Sequence, residues 1–203
     1  MSTYILRKQI PKWETTKPSQ TRERLLRSAY ELFSEKGISQ VGVNTILESS
    51  GCAKASLYEH FGSKDGLAIA FLELREQVWT HEWLEAEILR RAEEPDDRLL
   101  AAFDVFDGWF RKKQFEGCSF VNVLLESDPG SPLHTAATLH LENIRAILIT
   151  LAKEAKLKEP IRFAQTWHIL MKGSIVSARE GNLDAACDAR RAGTLVLQGW
   201  PRY

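Results

Sequence analysis

The sequence of 203 residues has few cysteines and no long apolar run. Its three cysteines, Cys52, Cys118 and Cys187, are an odd number at wide spacing, which fits neither a disulfide framework nor a zinc site. No apolar run approaches the ~18 residues that a membrane span needs, and the N-terminus lacks the features of a signal peptide. These absences predict a protein of the reducing cytoplasm with no membrane segment.

The sequence also lacks the common catalytic motifs. It contains no GxSxG elbow, no phosphate-binding glycine loop and no HExxH pair. His81 and Glu85 have the i, i+4 spacing of one helical face, but two ligands do not make a metal site, and His134 and His140 are not so spaced. The sequence therefore predicts no enzyme, no cofactor and no metal.

Positive and negative charges balance over the whole chain but are unevenly distributed along it. The chain has 27 Lys and Arg and 27 Asp and Glu, so its formal net charge is zero. Up to Gly66, however, ten basic residues stand against seven acidic ones. A mildly basic end suits a phosphate-binding partner, although a chance fluctuation of solvated charge explains these counts about as well.

Apolar spacing and helix caps predict an all-α chain of about nine helices, without strands or internal repeats. Residues 1–18 contain two prolines and several basic residues, and we expect a flexible basic arm there. The predicted helices cover 19–36, 43–50, 54–61, 63–91, a segment from 95 to a break at 116–117, 119–126, 133–156, 161–179 and 184–198.

Residues 37–67 carry the clearest functional pattern, two short helices joined by a tight turn and followed by a third. Gly51 stands where a helix end needs a left-handed residue, which glycine adopts cheaply. Leu57 and Phe61 point inward at i, i+4. The opposite face of this helix, from Lys54 to His60, has small side chains at one end and side chains that can hydrogen-bond along its length. A helix that enters the DNA major groove needs such a face.

This stretch closely resembles the DNA-binding domain of the TetR family of transcriptional regulators, from about Thr21 to Leu72. The matching positions are in register and comprise Gly51, Lys54, Leu57, Tyr58, Phe61, Ser63, Lys64 and Leu67. The resemblance implies an N-terminal three-helix helix-turn-helix DNA-binding domain at 19–66. It implies a C-terminal helical ligand-binding and dimerisation domain at 67–203.

The resemblance also assigns roles on the DNA side. It implies phosphate contacts by Lys54, Tyr58, His60 and Lys64, and base-edge contacts by Asn44, Thr45, Ala55 and Ser56. Three positions depart from the family pattern: Gly42 and Ala53 replace frequent capping residues, and His60 replaces a frequent tyrosine. These departures put the operator sequence in doubt, and not the binding itself. A homodimer on a palindromic double-stranded DNA operator is expected.

For the C-terminal domain, the resemblance implies a pocket for a small-molecule effector, and the aromatic content favours an apolar or aromatic one. The candidate lining is Trp79, Trp83, Phe103, Phe106, Trp109, Phe110, Phe120 and Asn122. The candidate dimer interface is Phe163, Trp167, Leu170, Ile175, Leu195 and Val196. Plain core explains each of these residues as well. Two alternatives stay open: electrophile or redox sensing through Cys118 at a helix start, and a helical interaction module without DNA binding.

Overall fold

The computed structural model describes residues 20–113 and 115–203. Nine helices fold this described part, as the sequence predicts, and its one β pairing is an isolated bridge between Leu157 and Arg202. The basic arm predicted at 1–18 lies outside the described residues. None of the helices in the described part has the length and hydropathy needed to cross a membrane.

The first three helices match their predicted bounds closely. They are α1 (Gln20–Lys36), α2 (Val43–Ser50) and α3 (Lys54–Phe61). Gly37 follows α1 with a φ of 82°, and its N–H donates to the carbonyl of Phe33. A cation in the last turn, Lys36, followed by a left-handed glycine therefore ends α1.

The fourth helix, α4, is one continuous run whose hydrogen bonding changes along its length. It is α-helical over Lys64–Arg75, π-helical over Glu76–Glu85 and α-helical again over Ala86–Arg91. The sequence predicts the extent of α4 but not its π-helical stretch, because no glycine or proline marks it. Within that stretch Val78, Trp79 and Thr80 are buried in succession, a pattern that one face of an α-helix does not provide.

The remaining helices are α5 (Pro95–Phe110), α6 (Ser119–Glu126), α7 (Pro132–Glu154), α8 (Pro160–Arg179) and α9 (Ala185–Gly199). The prediction that α5 continues to Glu116 and Gly117 is wrong. It ends at Phe110, and the N–H of Lys112 turns back to the carbonyl of Trp109. The chain then brings Phe115 back onto the end of α5, with its ring centroid 4.9 Å from that of Trp109.

The chain forms two compact units. The first holds the described residues up to Trp79 together with Ser119–His140, and the second holds Thr80–Cys118 and Leu141–Tyr203. The described residues of the predicted DNA-binding domain, 20–66, lie in the first unit. The functional division at residue 66 stays a prediction.

Apolar side chains of α1 to α4 form the core of the first unit. Phe71 of α4 lies at its centre, with its ring 5.6 Å from that of Tyr30 and 5.4 Å from that of Phe33, both of α1. The fully buried members are Leu25, Ala29, Ile46, Leu57, Leu67, Ala68, Phe71 and Leu72.

Two aromatic clusters fill the second unit. In one, Trp167 of α8 packs 5.4 Å from Phe103 and 5.1 Å from Phe163, measured between ring centroids. Gly193 of α9 lies against this cluster, since a Cβ there would stand 2.9 Å from Cη2 of Trp167. The other cluster comprises Trp83, Phe106, Trp109, Phe110 and Phe115.

His168 is an ionisable side chain inside the second unit. It is buried, and no described residue accepts from or donates to its Nδ1. Burial, together with the positive charges of Lys172 and Arg145, lowers the pKa of His168 to about 3. The imidazole is therefore neutral in the folded protein at neutral pH.

This buried imidazole predicts a loss of stability in acid. The folded pKa lies below the unfolded value of about 6.5, so the unfolded chain binds the extra proton as pH falls from about 6.5 toward 3. In that window the free energy of unfolding should fall by up to about 1.4 kcal/mol per pH unit from this group alone. Urea unfolding at several pH values, at one protein concentration, measures it.

The contribution of His168 is isolated by comparing His168→Gln with His134→Gln, which changes a histidine outside the core. The His168→Gln protein should lose less stability between pH 6.5 and 5 than the wild type, and His134→Gln should follow the wild type. Parallel pH curves for the wild type and His168→Gln would contradict the buried neutral imidazole.

Candidate nucleic-acid interface

The turn between α2 and α3 sets the angle of the second short helix. Gly51 has φ 61° and ψ 29°, the left-handed conformation that the sequence predicts, and its N–H donates to the carbonyl of Leu47. Ile46 of α2 and Leu57 of α3 are completely buried on either side of the turn. The glycine therefore ends α2, and the two apolar anchors hold both helices on the core.

Arg24 of α1 donates two hydrogen bonds to the main chain of this turn, and we call this contact the Arg24 clasp. The Nη2 of Arg24 donates to the carbonyl of Ser50 at 2.6 Å and to the carbonyl of Gly51 at 3.2 Å. These are carbonyls that the end of α2 leaves without helical partners. A Cβ on Gly51 would stand 2.8 Å from the same Nη2, so this position needs glycine for space as well as for conformation.

The helix caps agree with the sequence. Gly42 and Ala53 precede α2 and α3 in extended conformation and provide no side-chain cap. Ser63 caps α4, because its Oγ accepts from the N–H of Gly66 at 3.0 Å. The start of α4 therefore has the capping bond that the starts of α2 and α3 lack.

The eight residues predicted to face DNA lie on α2, on α3 and at the start of α4. Asn44, Thr45, Lys54, Ala55 and Tyr58 are exposed, and Ser56, His60 and Lys64 are partly exposed. All eight are therefore reachable by a ligand, and their roles in DNA contact stay predictions.

The cationic side chains of this surface are available to phosphate. Within the described part of the chain, no carboxylate forms an ion pair with Lys54 or Lys64. The Nζ of Lys54 lies 5.9 Å from the ring centroid of Tyr58, which is 46% exposed. A lysine held over a tyrosine presents a positive charge and a hydroxyl to the same side of α3.

Two contacts of this region were not predicted from the sequence. One is the clasp of Arg24, and the other is Arg22, whose guanidinium carbon lies 5.1 Å from the ring centroid of Phe61. Both join residues far apart in the chain, so helical spacing gives no signal for them. A left-handed glycine after α2 does indicate unpaired carbonyls, but not which side chain reaches them.

The predicted effector lining is divided between the two units. Trp83, Phe106, Trp109 and Phe110 come together in the second unit, while Phe103 belongs to the cluster around Trp167. Trp79, Phe120 and Asn122 belong to the first unit. Phe115, which completes the cluster of Trp109, was not among the predicted residues.

In the first unit, Phe120 packs on a buried polar pair. Its ring centroid lies 5.1 Å from that of His140, and the Nδ1 of His140 makes a short hydrogen bond to the Oε2 of Glu76. His140 is buried. The pair ties α7 to the first residue of the π-helical stretch of α4.

The predicted dimer residues occupy different environments. Phe163, Trp167 and Ile175 are buried in the chain's own core, and Leu170 and Val196 are half-buried. Leu195 is 72% exposed. The first three are thus held by contacts within the chain, and the interface assigned to the set stays a prediction.

Two short helices with a left-handed turn, a buried apolar anchor on each and an exposed cationic face define a helix-turn-helix DNA-binding protein. Residues 25–71 match the family described as bacterial regulatory proteins, tetR family. Over residues 25–71 the chain therefore belongs to this family of regulatory proteins, and the segment is a helix-turn-helix. The relatives of the chain carry the names of transcription regulators, not of enzymes.

Relatives match over different extents. The transcriptional repressor NemR of Escherichia coli K12 is 25% identical over 169 residues, which cover 78% of this chain and 84% of NemR. An uncharacterized HTH-type transcriptional regulator of Lactococcus lactis is 28% identical over 107 residues. That match covers 52% of this chain, which spans only about half, 54%, of the length of this relative.

Solved structures share the fold. A TetR-family transcriptional regulator from Streptomyces coelicolor superposes with a TM-score of 0.76 at 23% identity, covering 89% of this chain and 95% of that one. The reduced form of E. coli NemR superposes with a TM-score of 0.75 at 23% identity, covering 85% and 94%. At these identities the likeness concerns the fold alone.

The Arg24 clasp predicts a larger cost for alanine at Gly51 than at Gly37. Both glycines have positive φ, so both changes should lower the free energy of unfolding by about 1 kcal/mol. At Gly51 the new methyl also displaces Arg24 from two carbonyls, which should add about 1 kcal/mol or more. Urea unfolding of both variants measures the difference.

A double-mutant cycle assigns this extra cost. In an Arg24→Gln protein the clasp is already absent, so Gly51→Ala should then cost about as much as Gly37→Ala. An extra cost that persists without Arg24 would show that the clasp is not its origin.

Proposed function

We propose that this regulator binds a palindromic operator as a homodimer and represses transcription until a small apolar or aromatic effector releases it. The observation that carries the proposal is the surface of α3 and the start of α4, where Lys54 and Lys64 have no acidic partner among the described residues and lie beside the exposed Tyr58. Repression is supported by NemR, a relative that is named a transcriptional repressor.

Phosphate contacts and base contacts predict different effects of mutation. Lys64→Ala and Tyr58→Ala should weaken binding to all DNA sequences by similar factors, because phosphate contacts carry no sequence information. Asn44→Ala should instead change the preferred base at one position of each half-site, because an asparagine amide can pair with adenine. Binding to DNA fragments from the region around the gene, and to a randomised pool, measures both.

The salt dependence of DNA binding measures the contribution of charged side chains separately from that of the other contacts. Lys64→Ala should reduce the slope of log affinity against log salt by about one per half-site. Lys113→Ala, which removes an exposed lysine of the second unit, should leave the slope unchanged. If Asn44→Ala left the sequence preference intact, the assignment of Asn44 to a base edge would be wrong. Failure of the wild type to bind any such DNA would favour the interaction-module alternative.

The dimer proposal follows from exposed apolar side chains on α8 and α9. Ile161, Ile169 and Val176 of α8 and Leu195 of α9 are all exposed. Gly173 lies between Ile169 and Val176, and a Cβ there would meet no heavy atom within 4 Å. An exposed glycine on an apolar helix face lets a second helix approach closely, so we place the partner's helices against this face.

A surface groove extends this face at the start of α8. It has a volume of about 720 Å³ and contains none of the residues predicted to contact the effector. Its lining comes from α7, from α8 and from the turn between them: Ile149, Lys153, Glu159, Pro160, Ile161, Arg162 and Gln165. Its apolar lining adjoins the exposed residues of α8, so we assign the groove to the dimer interface.

A charge on the proposed interface should separate the subunits. Ile169→Asp and Leu195→Asp should each convert dimer to monomer, because an unpaired carboxylate would be buried between two chains. Leu125→Asp is the matched control, since Leu125 is 77% exposed but lies on α6, in the first unit. Sedimentation velocity measures the mass, and a dimer that survives both changes would place the interface elsewhere.

The alternative of electrophile or redox sensing rests on the position of Cys118. This residue directly precedes α6, where the helix dipole favours a thiolate. The relative NemR of E. coli has been solved in a reduced form. Because Cys118 is only 5% exposed, we rank a small-molecule effector above this alternative.

A further inference from the structure

Phe115 is the one member of the second aromatic cluster that does not come from a helix. Its ring centroid lies 4.9 Å from that of Trp109, edge-on at 90°, and 5.0 Å from that of Phe110. The ring is almost completely buried. A connecting segment thus inserts a phenyl ring among side chains of α4 and α5.

Hydrogen bonds of the main chain help to hold this ring in place. The N–H of Phe115 donates to the carbonyl of Lys112 at 3.0 Å, closing a tight turn. The Nη1 of Arg179, at the end of α8, donates to the carbonyl of Phe115 at 3.2 Å and pairs with Glu116 at the same distance. Arg179 is half exposed, so its contacts with Phe115 and Glu116 can break without disrupting a helix.

The surroundings of the ring select an uncharged aromatic group. Its neighbours are aromatic, and Trp83 packs on Trp109 at 6.1 Å between ring centroids. Three nearby cations have partners: Arg111 pairs with Asp107, Arg179 pairs with Glu116, and Lys112 lies over Trp83. A charged ligand in this cluster would have to displace one of these partners.

We propose that Phe115 is a built-in occupant of the effector site, and that the effector displaces it with an uncharged ring of phenyl size. The inference rests on the proposed function, since it names the ligand class of the regulator. The closed ring competes with the effector, so the affinity measured for the effector is lowered by the fraction of open chains.

The chain offers a route from this site toward the DNA-binding helices. Phe115 and Phe120 are five residues apart, so withdrawal of Phe115 moves the start of α6. Phe120 packs on His140, which is hydrogen-bonded to Glu76 of α4. The preceding residue, Arg75, donates to the hydroxyl of Tyr30 on α1 at 3.0 Å. Adjacent residues of α4 thus connect α7 with α1.

Toluene and methylcyclohexane test the site on the free, full-length protein. They are similar in size, and only toluene has an aromatic ring. Calorimetry should show binding of toluene and much weaker binding of methylcyclohexane. Arg179→Gln should tighten toluene binding about tenfold, because the loss of a charge-assisted hydrogen bond raises the open fraction. Arg190→Gln, which removes another exposed, ion-paired arginine of the second unit, should leave the affinity for toluene unchanged.

A second variant tests directly whether the ring of Phe115 occupies the effector site. In a Phe115→Ala protein the ring is absent, so toluene should bind tightly and Arg179→Gln should have no further effect. Equal binding of methylcyclohexane, unchanged toluene affinity in Arg179→Gln, or no toluene binding in Phe115→Ala would each overturn the inference.

DNA binding is measured separately, so that the two proposals fail in different ways. Toluene should weaken binding of the wild type to its operator, and should do so at lower concentration in Arg179→Gln. Toluene binding without any DNA binding would refute the proposed function and leave the ligand site intact. DNA binding that toluene does not alter would refute the role of this site in release.

Discussion

The contact between Arg24 and the turn at Gly51 is the constraint on which the DNA-binding surface depends. One guanidinium takes up the two carbonyls left at the end of α2 and fixes the turn to α1. The direction of α3, and with it the exposed face that carries Lys54 and Tyr58, follows from this turn. Buried Ile46 and Leu57 hold the short helices on the core, and the left-handed turn at Gly51 sets the angle between them.

Adjacent residues of α4 make contacts with two other helices. Arg75 reaches Tyr30 of α1, and Glu76 pairs with His140 of α7. They lie where the hydrogen bonding of α4 changes from α to π. A wider helical turn is a common device at functional sites, because its extra residue can be taken up or released without unfolding the helix. These two hydrogen bonds connect α7 with α1 through neighbouring residues of α4.

The sequence predicted most of the local structure, and for identifiable reasons. Gly51 and Ser63 were assignable because a left-handed helix end and a serine cap are local features, settled within about four residues. The lining of the effector site was harder to predict. Aromatic residues of α4, α5 and α6 looked equivalent in the sequence, yet Phe103 packs on Trp167 while Trp109 packs on Phe115. Helical spacing does not tell which neighbour a buried ring will contact.

The sequence by itself determined the all-α class, the bounds of most helices, the helix-turn-helix and its exposed polar face. Each of these depends on residues close together in the chain. Tertiary structure alone decided the reach of Arg24 to Ser50, the pairing of His140 with Glu76, the early end of α5 and the insertion of Phe115. Those contacts join distant segments, and their free energy exists only once the core has brought the segments together.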